Sequence, residues 1–374
     1  MGNRMNSKKM SGAALEMALA AKLENLLHGV GWLRGGQVVP APVTSGFDLL
    51  ATLPLPRGGK AALCVECKSE LRPSLFRIMT ERMFSPTGRP KVVVRVLALP
   101  SVSLRIAELC AEHGWSWFDL AGNCRLDVPG LLHLQHTGNE PVHQRPRPTA
   151  NLSTPETGRV VRALLLPNHA GMRWTQREMQ KHCQPKVSIG LVNKVVRHLR
   201  EEAFIESGEG GGFRLHDPLK LLFAWRDAYR FDRHERRGYF TLLQGKKLRE
   251  ALAGLDLKSG GLAYAAFSAA EFQAPHVRQP KTWLYVREQE ISQFEKLVEA
   301  KPVESGENLV VLIPNDDGVF YLGDGGPLGD SRMSCTNVVQ TYVDLSHCGS
   351  RGEEAAEALL NQRLKPEWKA RGLL

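Results

Sequence analysis

The chain has 374 residues, more than one ordinary domain holds. Its 43% hydrophobic and 24% charged residues exclude a disordered or fibrous protein. The net charge of +10 is unevenly spread, +7 over 1–150, +6 over 151–240 and −3 over 241–374, so a polyanion is expected against the first two thirds.

The basic stretch Met1–Met10 is not followed by an apolar core with a cleavage site, so no secretory signal is expected; Asn6 stands where a myristoylation pattern needs Ser or Thr. Ala13–Leu27 carries apolar residues at helical spacing (Leu15, Ala18, Leu23, Leu26, Leu27). Strands are expected at 37–43, 46–53 and 61–67, the last two joined by a Pro-Arg-Gly-Gly turn. A helix at 72–84, a strand at 91–98, a helix at 102–113 and short strands at 115–119 and 124–128 follow. This order makes an α/β sandwich with a mixed sheet. The apolar run 91–100 is strand-length and contains Arg95, far short of the ~20 residues that span a bilayer, so no membrane partner is expected. Seven cysteines, an odd number spread over a long chain, point to a reducing compartment and a cytoplasmic protein.

Within this block Asp48 lies on one strand and Glu66 and Lys68 on the next, where alternation turns Glu66 and Lys68 to one side. Two carboxylates suit Mg²⁺, a hard ion that prefers oxygen ligands, and a lysine beside them can stabilise charge or orient a water. The arrangement resembles the PD-(D/E)xK nuclease superfamily, with Asp48, Glu66 and Lys68 on its motif positions and Phe47 where the motif name has proline. The resemblance implies a restriction-endonuclease-like fold, metal at Asp48 and Glu66, catalysis by Asp48, Glu66 and Lys68, and an accessory acid at Glu16. Active cleavage is a separate matter, since such a scaffold also serves binding alone. Cys64 and Cys67 form a Cys-x-x-Cys, but three residues apart on a strand they face opposite sides and cannot share a metal. His133, His136 and His143 are read as loop residues without acidic partners.

Four prolines in 137–155 mark a linker. Ser153-Thr-Pro-Glu156 then opens a helix over 156–168 with a hydroxyl cap. Trp174-Thr-Gln-Arg-Glu178 holds a capping box, Thr175 to Glu178, for a second helix to about His182. Ser188 caps a third, 188–202, whose buried stripe is read as Leu191, Val195, Val196 and Leu199. Ser188, Gly190, Asn193, Lys194, Arg197 and Arg200 are left nearer the exposed side. Phe204–Ser207, the glycines at 208–212 and Phe213–His216 form a hairpin. This order resembles the winged helix-turn-helix family of double-stranded DNA binders. The third helix is expected to place Ser188, Gly190 and Asn193 at base edges; Lys194, Arg197 and Arg173 are expected on phosphate and Arg214 on the neighbouring backbone. No cofactor is required for that binding; Mg²⁺ enters only if the first domain is catalytic.

A softer seam is expected near 232–240. Beyond it the block is read as α+β, with a helix near 241–253, strands at 282–286, 308–313 and 318–322, and a helix at 339–345. The glycine-rich 323–330 precedes no phosphate-loop lysine. From the winged helix onward the chain resembles the AbiEi-type antitoxins of type IV toxin–antitoxin systems. Val339–Leu345, Arg351–Glu357 and the winged helix carry the likeness, and Trp115–Arg125 is similar to a Tyr/Phe-Asp-Leu-x-Gly-Asn phrase of longer relatives. The resemblance implies a transcriptional regulator that represses its own operon. It counteracts a nucleotidyltransferase-like toxin without a stable complex, a role that leans away from an enzyme. The domains expected are thus 1–136, a linker 137–155, 156–232 and 233–374, in an α/β and α+β multidomain chain.

Overall fold

The computed structural model describes residues 12–33, 37–42, 45–80, 90–142, 149–208, 212–259, 261–321 and 334–374. The chain divides into two compact units, Met1–Arg147 and Pro148–Leu374. It is a mixed α/β protein.

The first unit runs α1 (Gly12–His28), β1 (Gln37–Pro40), β2 (Leu49–Pro54), β3 (Lys60–Cys67), α2 (Pro73–Thr80), β4 (Val92–Leu99), α3 (Leu104–Glu112), β5 (Ser116–Asp119), β6 (Cys124–Val128) and β7 (Leu132–His136). The strands form one seven-stranded sheet in chain order. β3, β4 and β5 are parallel to one another and the other neighbours antiparallel. Parallel neighbours need crossovers, which α2 and α3 supply on one face, packing Phe76, Met79, Ile106 and Leu109 on Leu97 and Leu99. α1 covers the other face. Its Leu15, Leu19, Leu23 and Leu27, one stripe at i, i+4 spacing, meet Leu63, Val65, Val94 and Val96. β3 is covered from both sides and buried from Ala61 to Cys67. His133 and His136, expected in a loop, stand on β7, and His133 Nδ1 lies 3.8 Å from Asp127 Oδ2 of β6. His143 and the end of the helix expected at 72–84 lie outside the described residues.

The second unit begins with α4 (Pro155–Leu165), α5 (Gln176–His182), α6 (Ile189–Glu201), β8 (Ile205–Ser207), β9 (Phe213–Leu215) and α7 (Pro218–Ala228). It continues with β10 (Glu235–Phe240), α8 (Gly245–Ser259), β11 (Leu262–Tyr264), α9 (Ala266–Gln273), β12 (Thr282–Val286), α10 (Ile291–Leu297), β13 (Lys301–Pro302) and β14 (Leu309–Ile313). α11 (Val338–Leu345), α12 (Gly349–Leu359) and α13 (Lys365–Ala370) complete it. A five-stranded sheet has the order β11-β12-β14-β10-β13, with only β12 and β14 parallel. Alternation splits β12 and β14 between two cores: Leu284, Val286, Val311 and Ile313 pack with α8 and α10, and Tyr285, Val310 and Leu312 face the other way. That second core is continuous from Val160 and Leu164 of α4 through Leu199 of α6 to Tyr342 of α11 and Trp368 of α13.

The stretch 232–240, expected as a soft seam, instead holds β10, which pairs with β14 from Glu235↔Ile313 to Tyr239↔Leu309. Gly318–Leu322, expected as a strand, begins as a 3₁₀ turn, Asp317–Phe320, because the Asp316 carboxylate accepts from Gly318 N at 2.8 Å and curls the chain. Leu322 and the glycine-rich 323–330 lie outside the described residues. No described helix is long and apolar enough to cross a membrane. All seven cysteines are free thiols, six of them buried. Cys64 and Cys67 sit in separate clusters on opposite sides of β3.

Candidate nucleic-acid interface

Local chemistry fixes the start of each helix in the 150–216 segment. Pro155 occupies the first turn of α4, but the expected hydroxyl cap is not made: Thr154 is the N-cap and its hydroxyl donates backward to Asn151 O at 3.0 Å. α5 opens with a complete capping box. Thr175 Oγ1 accepts from Glu178 N at 3.2 Å while Glu178 Oε2 accepts from Thr175 N at 2.7 Å. The carboxylate also accepts from the Thr175 hydroxyl at 2.8 Å, and its bonds from Thr175 N and from that hydroxyl hold the Glu178 carboxyl below its usual range. Ser188 caps α6, its Oγ accepting from Leu191 N at 3.2 Å.

α6 buries Val192, Val195, Val196, His198 and Leu199. The stripe therefore includes Val192, and Leu191, expected as a core residue, is only half-buried. His198 is the surprise. Burial lowers its pKa, with Glu201 opposing, and the imidazole joins the buried stripe, a position the spacing left unassigned. The opposite side of α6 presents Gly190, Asn193, Lys194 and Arg197, all exposed and spaced i, i+3, i+4, i+7 on one stripe. Ser188 is exposed at its head. Asn193 Nδ2 donates to Gln176 Oε1 of α5 at 3.3 Å and ties the two helices together. Among the described residues Lys194 and Arg197 take part in no ion pair. Arg200, expected on the exposed side, is half-buried, with its Nε enclosed and unbonded.

β8 and β9 form the hairpin, and Trp174 adds a bridge to Phe213, its N donating to Phe213 O at 2.8 Å. Residues 209–211 at the tip lie outside the described residues. Arg214 is exposed on β9 but ion-pairs with Glu206 across the hairpin, which offsets part of its charge. Arg173 is exposed; a Cβ on Gly208 would come 3.5 Å from its Nη1, so its guanidinium lies along the hairpin. Three further exposed cations, Arg177 and Lys181 on α5 and Lys186 before α6, escaped the sequence reading because they sit outside the third helix and the wing.

In the first unit, Asp48 lies one residue before β2. Its N donates to Val65 O at 2.9 Å, which extends the Leu49↔Val65 register by one step and brings it beside Glu66. Asp48 Oδ2 accepts from Cys67 N at 2.6 Å. Glu66 is 2% exposed and ion-paired with Lys68, whose Nζ also donates to Cys67 O at 3.3 Å. Cys67 reports the convergence of these groups. Burial pushes its thiol up, and the charges of Asp48, Glu16 and Glu66 push it further. Asp48, Glu66 and Lys68 thus meet at one end of β3, and the charge of Glu16 is felt at Cys67. The Asp48 and Glu66 carboxylates are hard oxygen donors of the kind that suits Mg²⁺. Among the described residues no three His, Cys, Asp or Glu are grouped to hold a metal ion.

The sequence reading missed a third cluster altogether. Arg162 on α4 is 3% exposed and donates through Nε and Nη2 to Gln340 Oε1 at 2.9 and 2.7 Å. Gln340 Nε2 donates to Asp344 Oδ1 at 2.7 Å, which also accepts from Tyr285 OH at 3.1 Å and Tyr229 OH at 3.2 Å. Burial pushes the Asp344 carboxyl up to about 7, against those hydrogen bonds and the Arg162 charge. Burial and the Arg162 charge push His234, 2.8 Å from Tyr229 OH, down to about 4. Gln340 and Asp344 belong to the 339–345 helix of the antitoxin likeness, and the only signal was that polar residues interrupt an apolar helix. The Trp115–Arg125 phrase has a structural part to play. Asp119, fully buried, accepts from Asn123 N and Nδ2, both at 3.0 Å, and closes the β5–β6 turn.

In comparisons with protein-family models, with curated proteins and with solved structures, nothing matched the chain.

Proposed function

We propose that this protein is a DNA-binding transcriptional regulator of the AbiEi antitoxin type. In this reading α4, α5, α6 and the β8–β9 hairpin act as a winged helix-turn-helix and α6 enters the major groove of duplex DNA. Ser188, Gly190 and Asn193 face base edges; Lys194, Arg197 and Arg173 meet phosphates; Arg214 reaches the neighbouring backbone once it exchanges Glu206 for phosphate. The observation that carries the reading is the exposed stripe of α6, in which Lys194 and Arg197 are exposed and, among the described residues, form no ion pair. Arg177, Lys181 and Lys186 extend the positive surface around it.

The test is a gel-shift of DNA upstream of the protein's own gene across a salt series. Affinity is expected to fall steeply with salt, and Lys194→Ala with Arg197→Ala to reduce the slope of log affinity against log salt by about 2. Wild-type binding and slope in the double variant would remove α6 from the interface. The regulator is expected to counteract a nucleotidyltransferase-like toxin without a stable complex. Co-expression with the product of the neighbouring gene reads this out as relief of growth arrest.

A second reading rests on the first unit. The convergence of Asp48, Glu66 and Lys68 at the end of β3 fits a PD-(D/E)xK nuclease, with Glu16 as accessory acid. Asp48 and Glu66 would hold Mg²⁺, which would supply charge neutralisation at the scissile phosphate, and Lys68 would orient the attacking water. Plasmid nicking in Mg²⁺ or Mn²⁺, abolished by Asp48→Ala and by Lys68→Ala, supports this reading. Nicking that survives both substitutions is a contaminant's.

A further inference from the structure

Within the second unit, a cleft opens at the N-terminal end of α4. Ser153, Thr154, Arg162, Arg230, Arg233 and the carboxylate Asp316 are among the residues that line it. Three observations give the cleft its chemistry. The first is the Arg162 guanidinium, which is buried, yet Nη1 has no hydrogen-bond partner and the side chain forms no ion pair among the described residues. A buried cation is costly unless a counter-charge meets it. The charges of Asp316 and Asp344 are felt at Arg162 and the Trp225 ring lies 5.4 Å from its Cζ, but neither carboxylate bonds it: Asp344 reaches Arg162 through Gln340, and Asp316 is held by Arg159, whose Nε donates to Asp316 Oδ2 at 3.0 Å.

The second observation is the helix end. The Thr154 hydroxyl bonds to Asn151 O and to Thr157 Oγ1, so it caps no backbone N–H of the 11-residue α4; Glu156 is the acid of that first turn, and Ser153 and Thr154 beside it line the cleft. The third is the rim, where Arg230 and Arg233 are both exposed; Arg230 pairs with Asp232, while Arg233 forms no ion pair among the described residues. Gly318 keeps the wall close. A Cβ there would fall 2.6 Å from Arg162 Nη1 and 2.5 Å from Asp316 Oδ1, so any larger residue would displace both.

We propose that this cleft binds a small oxyanion, the phosphate or carboxylate group of a metabolite, with Arg162 as its inner counter-charge and Arg233 at its rim. The unbonded Nη1 donates to an anion oxygen, and the N-terminal end of α4 adds its dipole. The inference stands apart from DNA binding, because none of these residues lies on the exposed stripe of α6.

Calorimetric titration of the full chain with inorganic phosphate and, separately, with succinate at fixed ionic strength tests it. Saturable binding of either is expected, phosphate and succinate distinguishing the two anion sources. Arg162→Gln, which keeps the contact with Gln340 but loses the charge, is expected to weaken binding about tenfold or more. Arg233→Ala changes an exposed side chain and keeps the test decisive if Arg162→Gln does not fold; it is expected to weaken binding several-fold. Absence of saturable binding by both anions overturns the proposal, as does binding unchanged in folded Arg162→Gln, or in Arg233→Ala where the former does not fold.

Discussion

Asp344 and His234 are buried beside the same tyrosine, yet they titrate in opposite senses. The Asp344 carboxyl is raised to about 7 by burial, above about 3.9 in an unfolded chain, so the folded state holds its proton more tightly. Its contribution to stability is full below that unfolded value and is lost as pH climbs through 7. His234 is lowered to about 4 from 6.5, so the unfolded chain binds its proton more tightly, and stability is lost as pH falls from 6.5 through 4. Between pH 4 and 6.5 the two slopes cancel. Asp344→Asn keeps an oxygen to accept from Gln340 and the tyrosines but cannot titrate. The gap in unfolding free energy between wild type and this variant should shift against wild type by up to about 1.4 kcal/mol per pH unit over that window. Denaturant midpoints at pH 4.5, 5.5 and 6.5 measure it, and a pH-independent gap would show that Asp344 does not titrate there.

At the scale of elements, α6 ends as it begins, on local chemistry. Phe204 N donates to Leu199 O at 2.9 Å and Ala203 N to Arg200 O at 3.1 Å, the paired bonds that close a helix when the next residue turns left-handed. That residue is Ala203, with φ 58°. A side chain pays about 1–2 kcal/mol in this region and glycine does not. Ala203→Gly is therefore expected to stabilise the second unit by about 0.5–1 kcal/mol, after subtracting glycine's greater freedom in the unfolded chain. A lower melting temperature would contradict the argument. Caps such as Ser188 and the Thr175–Glu178 box are short-range, so the three helices and the hairpin were legible in the residues alone. β10 was not, because Glu235-Arg-Arg-Gly looks like a solvated turn, and its pairing partner β14 lies some 70 residues onward. Arg162 hid for the same reason: it reads as one more surface cation until Gln340, 178 positions away, folds over it. The meeting of Asp48, Glu66 and Lys68 was legible because adjacent strands bring them together.

For the whole molecule, the consequence of two compact units is separable chemistry. The first unit closes its own cores on both faces of the seven-stranded sheet. The second carries a continuous core from α4 to α13, so its α4–β9 segment is not expected to fold apart from the five-stranded sheet. A fragment of residues 148–374 should retain the gel-shift of the full chain, with the same dependence on Lys194 and Arg197. A shorter fragment ending at 232 strips Tyr285, Leu312, Tyr342 and Trp368 from the core and leaves Arg162 without Gln340, so it should lose cooperative unfolding. Residues 1–147 alone should unfold as one transition, and any Mg²⁺-dependent nicking should travel with that piece. DNA binding found only in the 1–147 fragment would reverse the assignment, placing the polyanion on the acidic end of β3 and leaving α6 with no part in it.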